Sequence, residues 1–344
     1  MSRIAIIGAG AWGTALSIAL GRKNVHAVRL WAHEKEVQTV ISSRHVNEIF
    51  LPGQVIPENV SVSGKFEEVL QGAQIVVSVM PSQHCRRVFE QMRPFVAPDM
   101  LFVTATKGLE ETTLLRMTEV VCSVIATEKW RPRIGALSGP SFAKEVARGD
   151  PTAITIASTD AELAETVQRE FSDPRFRLYT NDDVTGVELG GALKNTIAIA
   201  AGICDGLGLG HNSVAALITR GLAEITRLVV ACGGRQETMA GLAGMGDLVL
   251  TCTGGLSRNR SVGVELGRGR KLQEIIESMH GMVAEGVFTT HAALELARAR
   301  KIEMPITVQM DAILNGGKPP REAIQELMTR SAKSETGLYQ TGCS

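Results

Sequence analysis

The chain has 344 residues, enough for two domains with separate cores and long for a single one. Its 36 Lys and Arg balance its 36 Asp and Glu, so no overall field steers it toward nucleic acid or a membrane surface, and any anionic ligand must be held by local cations. Aromatic residues are only 4%, which argues against base-stacking platforms, whereas many of the 35 glycines are clustered, as where backbone approaches a ligand closely.

In chain order, RIAIIGAGAWGTALSIALGRK comes first. Residues 4–21 carry no charge and follow Arg3, a superficial likeness to a signal peptide. Gly8, Gly10 and Gly13 interrupt the run, and strand, turn and helix fit it better. Residues 4–7 suit a fully buried parallel strand. AVRLW (27–31), QIVVSVMP (74–81), MLFVTATKG (100–108) and RIGALSGP (133–140) follow as strands. PTAITIAS (151–158) and FRLYT (176–180) extend the sheet, with polar helical segments such as 161–171 between them. This alternation predicts a Rossmann-type, doubly wound α/β domain over residues 1–181.

From residue 182 onward there is no strand pattern, only helical periodicity broken by glycine clusters at 206–210, 233–234, 241–246 and 253–255. An all-helical C-terminal domain is expected over 182–335, with a polar tail at 336–344. Apart from 4–21, no segment reads as long and apolar enough to span a bilayer. The six cysteines (85, 122, 204, 232, 252 and 343) form no CxxC pair, a pattern that suits reduced thiols. His84 and Cys85 are two adjacent ligand types without a third, so no metal site is expected. A soluble, cytoplasmic protein is the expectation.

Gly8, Gly10 and Gly13 make G-x-G-x-x-G between a strand and a helix. The first glycine permits the tight turn, the second lets backbone approach a pyrophosphate, and the third lets helix and strand pack closely. About 20 residues past Gly13, where an acid would hold the ribose hydroxyls of NAD, stands His33, with Glu34 and Lys35 after it. That leans toward NADPH, although a strand boundary shifted by one would bring Glu34 into play.

Three further segments carry chemistry. Lys107 stands at the carboxyl end of a strand, where open α/β sheets bind ligands. LSGPSFAKE places Gly139, Ser141 and Ala143 in a turn entering a helix, with Pro140 suited to its first position. In TCTGGLSRNR, Ser257 reads as an N-cap followed by Arg258, Asn259 and Arg260. Cations in a first turn oppose the helix dipole, so these arginines suit a bound anion or else pair with surface acids. Asp247 either caps a helix or balances a buried lysine.

That lysine is Lys194, within GVELGGALKNTIAIAAG (186–202), where the only charges are Glu188 and Lys194. It either pairs structurally with Asp247 or Glu188, or supplies a proton to a reacting group. In the second case, Gly190 and Gly191 would leave space above the helix. His211 is expected at a turn or interface, and Met245 and Val249 in the core around the site.

GAGAWGTAL, LPG (51–53), KG (107–108), LSGPSFAKEV, ELGGALKN, GLGLGHN, AGMGDLVLTC, SRNR and VAEGVFTT (283–290) occur in order. In these the chain resembles the bacterial NAD(P)-dependent glycerol-3-phosphate dehydrogenases along nearly its whole length. The resemblance implies reversible reduction of dihydroxyacetone phosphate to sn-glycerol 3-phosphate for phospholipid synthesis. It implies Lys194 as proton donor and acceptor, with Lys107, Gly139, Ser141, Asp247, Ser257, Arg258 and Asn259 on the phosphorylated substrate. Asn195, the adjacent polar group, would help hold the substrate hydroxyls or else bond a neighbouring helix. Around the dinucleotide, which continues to lean toward NADPH over NADH, it implies Gly8, Gly10, Ala11, Trp12, Gly13, His33, Lys107, Ala143, Arg258, Val283 and Glu285. Ala11 departs from the serine of many relatives, which removes a side-chain hydrogen bond but leaves the backbone intact. A dehydrogenase of β-hydroxyacids would not need the Arg258 and Asn259 grip, and a silent NAD(P)H sensor would not need Lys194. A homodimer through the Ala- and Gly-rich helices is a further expectation.

Overall fold

The computed structural model describes residues 2–279, 284–332 and 334–335. The tail expected at 336–344, Cys343 and Val283 lie outside the described residues. The strands are β1 (Ser2–Ile7), β2 (His26–Trp31), β3 (Val46–Asn47), β4 (Leu51–Val55), β5 (Val60–Ser63), β6 (Ile75–Ser78), β7 (Leu101–Thr104), β8 (Arg133–Ser138), β9 (Thr152–Ala157) and β10 (Phe176–Asn181). Helices α1 (Ala11–Arg22), α2 (Lys35–Arg44), α3 (Phe66–Leu70), α4 (Cys85–Met92), α5 (Met117–Ile125), α6 (Ala143–Arg148) and α7 (Ala161–Phe171) lie among them. Then come α8 (Val184–Gly206), α9 (His211–Ala231), α10 (Gln236–Met239), α11 (Asp247–Thr253) and α12 (Arg258–Gly267). The last are α13 (Leu272–Ser278), α14 (Glu285–Ala299), α15 (Pro305–Leu314) and α16 (Pro320–Met328).

Two compact units divide the chain: Met1–Glu110 with Leu115–Glu188, and Glu111–Leu114 with Leu189–Ser344. In the first, eight strands run in the order β10-β9-β8-β7-β6-β1-β2-β5. All neighbours are parallel except β8 and β9, so β9 and β10 run against the rest. Side chains of a strand alternate between faces. In β1, Ile4 and Ile6 accordingly join the core beneath α1, α2 and α7, while Ala5 and Ile7 join the one containing Phe89, Phe102 and Val120. The seven strands read from the sequence are all present, and a strand-free stretch after 181 holds among the described residues. The edge strand β5 and the β3–β4 hairpin had no readable pattern: VSVS and a two-residue strand are too short to show a period.

The second unit is helical. Here α8 and α12 touch backbone to backbone through Gly202 and Gly206 on one helix and Gly263 and Gly267 on the other. A Cβ on Gly202 would lie 2.0 Å from Arg260 O, and one on Gly263 would lie 2.0 Å from Ile199 O. Glu224 of α9 reaches the start of α15, accepting the N–H groups of Ile306 and Thr307, each at 2.9 Å, and the Thr307 hydroxyl at 2.8 Å. That buried carboxylate satisfies donors that a helix N-terminus leaves open.

Contrary to the sequence reading, one helix among the described residues is long and apolar enough to cross a membrane. It is Val184–Gly206, and 94% of its apolar window is buried inside the protein. No disulfide joins the described cysteines.

Gly263→Val would force α8 and α12 apart. A stability loss of about 1–3 kcal/mol is expected, as for overpacked cores, read as a lowered midpoint in urea unfolding.

Candidate active site

In the first unit the glycine turn follows directly from its sequence. Gly8 has φ +121°, and a Cβ there would lie 2.1 Å from Val79 O. A Cβ on Gly13 would lie 1.9 Å from Gly8 O, so α1 packs against the turn only because residue 13 is glycine. Gly10 is the N-cap of α1, with no side-chain cap and no acid in the first turn. Nothing lies within 4 Å of the place its Cβ would occupy. The first-turn amides of Ala11, Trp12 and Gly13 thus end in a donor-rich, open helix terminus, which fits a pyrophosphate. Trp12 turns its ring to Phe176, at 6.5 Å between centroids, and packs against the apolar core. Its first-turn amide is therefore the group left to face an anion.

Strand β2 ends at Trp31, two residues before His33. His33 is exposed, as are Glu34 and Lys35, and its ring lies 5.9 Å from that of Trp31, which itself stacks on Phe66 at 4.5 Å. Glu34 is the N-cap residue of α2 without a side-chain cap bond. His84, considered in the sequence only as a metal ligand, lies near His33: burial lowers its pKa, and Arg87 and His33 lower it further, which favours the neutral ring.

Lys107 is half-buried just past β7, before Gly108 at φ +136°. Next to it, the Thr106 hydroxyl accepts from Met80 N–H at 3.2 Å and donates to Ser78 O. Gly139 (φ +140°) follows β8, its Cα face closed by Ile154. The Ser141 hydroxyl donates to Gly139 O at 2.9 Å. Helix α6 starts at Ala143 with Phe142 as N-cap, so Pro140 is not its first residue as expected. The glycine turn occupies that stretch instead.

In the second unit the partner of Lys194 is settled. Its Nζ donates to Asp247 Oδ1 and, at 2.7 Å, to Thr251 Oγ1. The Thr251 hydroxyl in turn donates to Asp247 O at 2.5 Å. Lys194 and Asp247 are 6% and 1% exposed, so an ammonium and a carboxylate face each other out of water. Asp247 is no helix cap. It follows a wide turn, Leu242–Gly246, closed by Gly246 N–H on Gly241 O at 3.1 Å, a geometry frequent at functional sites. Thr251 was not singled out in the sequence, because a threonine one turn into a helix carries no distinguishing pattern.

Glu188, the other candidate partner, is engaged elsewhere in the first unit. Its buried carboxylate accepts from Arg116 at 2.7 Å, from Thr118 N–H at 2.8 Å and from the Thr118 hydroxyl at 2.6 Å. Gly190 leaves no room for a ligand: a Cβ there would meet Met239 Cε at 2.8 Å and Ala243 O at 2.9 Å. Met245 and Val249 are 43% and 41% exposed, not core as expected. Met245 lies in the wide turn and Val249 in α11. His211 is the exposed first residue of α9.

Ser257 is the N-cap of α12, its hydroxyl accepting from Arg260 N–H at 3.2 Å. Arg260 pairs with Asp205. Arg258 is exposed. Asn259 Oδ1 accepts from Gly286 N–H at 2.9 Å, which fixes the orientation of its carboxamide and ties α12 to the first turn of α14, where Glu285 stands. Asn195 is buried beside Lys194. Cys252 lies in the same neighbourhood, and burial pushes its thiol up to about 12. No group of three or more metal-ligating side chains occurs among the described residues.

The geometry defines a class: a dinucleotide-binding Rossmann unit followed by a helical unit with a buried, fixed lysine. Residues 3–164 match the N-terminal model of NAD-dependent glycerol-3-phosphate dehydrogenase, and residues 183–325 match its C-terminal model. The glycerol-3-phosphate dehydrogenase [NAD(P)+] of Koribacter versatilis is 68% identical over 98% of this chain and 100% of its own. That of Acidobacterium capsulatum is 54% identical over 97% and 100%. The crystal structure of glycerol-3-phosphate dehydrogenase from Coxiella burnetii matches with a TM-score of 0.91 and 42% identity, over 96% of this chain and 99% of that one. The chain belongs to the NAD-dependent glycerol-3-phosphate dehydrogenase family.

Two outcomes are expected here. Thr251→Val keeps the side-chain shape but removes the hydroxyl, and turnover should fall about 10- to 100-fold, the worth of a hydrogen bond to a charged group. Folded protein treated with iodoacetamide at about pH 8 should leave Cys252 unmodified, as peptide mass mapping would reveal.

Proposed function

We propose that the chain is a glycerol-3-phosphate dehydrogenase that reduces dihydroxyacetone phosphate to sn-glycerol 3-phosphate, reversibly, for phospholipid synthesis. What carries the reading is the fixed, buried ammonium of Lys194 in a chain of this family. Reduction of a ketone builds negative charge on its oxygen, and a positioned ammonium both stabilises that charge and supplies the proton. Asp247 and Thr251 hold Nζ by two hydrogen bonds, which fix the position from which the ammonium would meet the carbonyl oxygen. In the reverse direction the same nitrogen accepts the proton.

The phosphorylated substrate is assigned to Lys107, Gly139, Ser141, Asp247, Ser257, Arg258 and Asn259, with Asn195 for its hydroxyls. The chemistry at the start of α12 supports this. Ser257 uses its oxygen to cap the helix, so its O–H is left to donate. Asn259 spends Oδ1 on Gly286, so Nδ2 is left to donate as well. With the Arg258 guanidinium, these present donors to an anion at a helix N-terminus, and a phosphate there relieves the unfavourable first-turn charge.

The dinucleotide is assigned to Gly8, Gly10, Ala11, Trp12, Gly13, His33, Lys107, Ala143, Arg258, Val283 and Glu285. When bound, its reduced nicotinamide supplies the hydride. NADPH is preferred and NADH accepted. The preference is supported by the Arg87 guanidinium near His84, which suits a ribose phosphate, and by His33 rather than an acid at the second residue past β2. The protein acts in the cytoplasm as a homodimer, for which the exposed Phe288, Val308 and Met328 of the helical unit offer apolar surface.

Purified protein should oxidise NADPH, and more slowly NADH, when given dihydroxyacetone phosphate, and leave unphosphorylated dihydroxyacetone nearly untouched. Arg258→Ala should raise the KM for the phosphorylated ketone about 10- to 100-fold, in line with loss of a charge-assisted contact. Equal rates on both ketones would refute the substrate assignment.

A further inference from the structure

The β3–β4 hairpin carries a side chain that the activity so far leaves without a role. Asn47 is 1% exposed and stands at the end of β3. Its Nδ2 donates to Ala9 O at 2.8 Å and to Thr14 Oγ1 at 2.8 Å, while its Oδ1 accepts from Phe50 N–H at 3.2 Å. The Thr14 hydroxyl donates to the same Ala9 oxygen at 3.3 Å. Two donors, the Asn47 amide and the Thr14 hydroxyl, therefore converge on one carbonyl oxygen, that of Ala9, which lies between Gly8 and Gly10 inside the glycine turn.

We propose that Asn47 is a positioning residue for dinucleotide binding, latching the Ala9–Gly10 peptide so that the Gly10 N–H faces the anion. The inference rests on the reading that the Gly8–Gly13 turn holds the dinucleotide. In a trans peptide the carbonyl and the following N–H point in opposite directions. Anchoring Ala9 O inward to Asn47 and Thr14 thus turns the Gly10 N–H away from the protein interior. Gly10 has φ −67°, and a glycine tolerates the positive φ that a reversed peptide would require. Its own backbone does not enforce the orientation, and the residue that fits a close approach also permits the flip. A flipped peptide would present Ala9 O to the pyrophosphate, replacing attraction with repulsion. The latch comes from sequence 38 residues away, on a hairpin whose Asn47 pairs with Leu51.

The test compares two probes on wild type and Asn47→Ala by calorimetric titration. NADPH contains the pyrophosphate, whereas adenosine 2′-monophosphate carries the adenine end without it. Asn47→Ala should weaken NADPH by about tenfold or more, the cost of freeing and stranding a buried carbonyl, and leave adenosine 2′-monophosphate unchanged. In steady-state assays the loss should fall on the KM for NADPH more than on kcat. If Asn47→Ala does not fold, Thr14→Val, which removes the hydroxyl shared by Asn47 and Ala9, should show the same selective pattern at smaller size. Unchanged NADPH affinity in a folded variant, or equal weakening of both probes, would overturn the positioning role. Failure of wild type to bind NADPH at all would instead remove the dinucleotide reading on which it rests.

Discussion

The buried pair of Lys194 and Asp247 is the constraint around which the helical unit is arranged. Taking two charges out of water costs more than their attraction commonly returns, and well-packed apolar residues would serve stability as well or better. Such a pair persists where its geometry has a use. Here the carboxylate arrives through the wide turn at Leu242–Gly246, and the hydroxyl of Thr251 joins one helical turn later. These two groups hold the ammonium in place, as the proposed delivery of a proton to a carbonyl oxygen would demand. The glycine contacts of α8 with α12 have a related consequence. They bring the lysine-bearing helix against the helix whose first residues are Arg258 and Asn259, without side chains between the backbones.

The nucleotide-binding turn solves a different problem by different means. No cation or hydroxyl of the GAGAWG segment is needed to hold an anion, because the donors are main-chain amides at an uncapped helix start. Such amides must be aimed. Gly8 and Gly13 set the turn by close approach to Val79 and to each other, and Asn47 fastens the one peptide whose glycine would let it rotate.

Much of this was legible in the sequence because it is local. The glycine spacing fixes a backbone conformation, the apolar runs fix the parallel strands, and α7 matches its periodic segment at 161–171. Ser257 reads as an N-cap from its position ahead of a helical run, and it is one. What escaped is long-range. Whether Lys194 meets Asp247 depends on which helix passes α8, and Glu188, on α8 itself, is consumed by Arg116 and Thr118. Asn47 sits in a hairpin too short to have a period, and its partners are in the first turn of the chain. Gly190 reads as space for a ligand, yet Met239 and Ala243 fill it. Met245 and Val249 read as core by hydrophobicity alone and are exposed, since an apolar side chain need not be buried.

The central claim is that the Lys194 ammonium is the group that protonates the carbonyl oxygen. Chemical rescue addresses it most directly. Lys194→Ala, shown to be folded by circular dichroism, would be assayed with saturating NADPH and dihydroxyacetone phosphate in rising concentrations of ethylammonium and related amines. The account predicts turnover lowered about 10²- to 10⁴-fold, partly restored by added amine, with the restored rate following the acidity of the ammonium. Near-normal turnover in Lys194→Ala without any amine would contradict it.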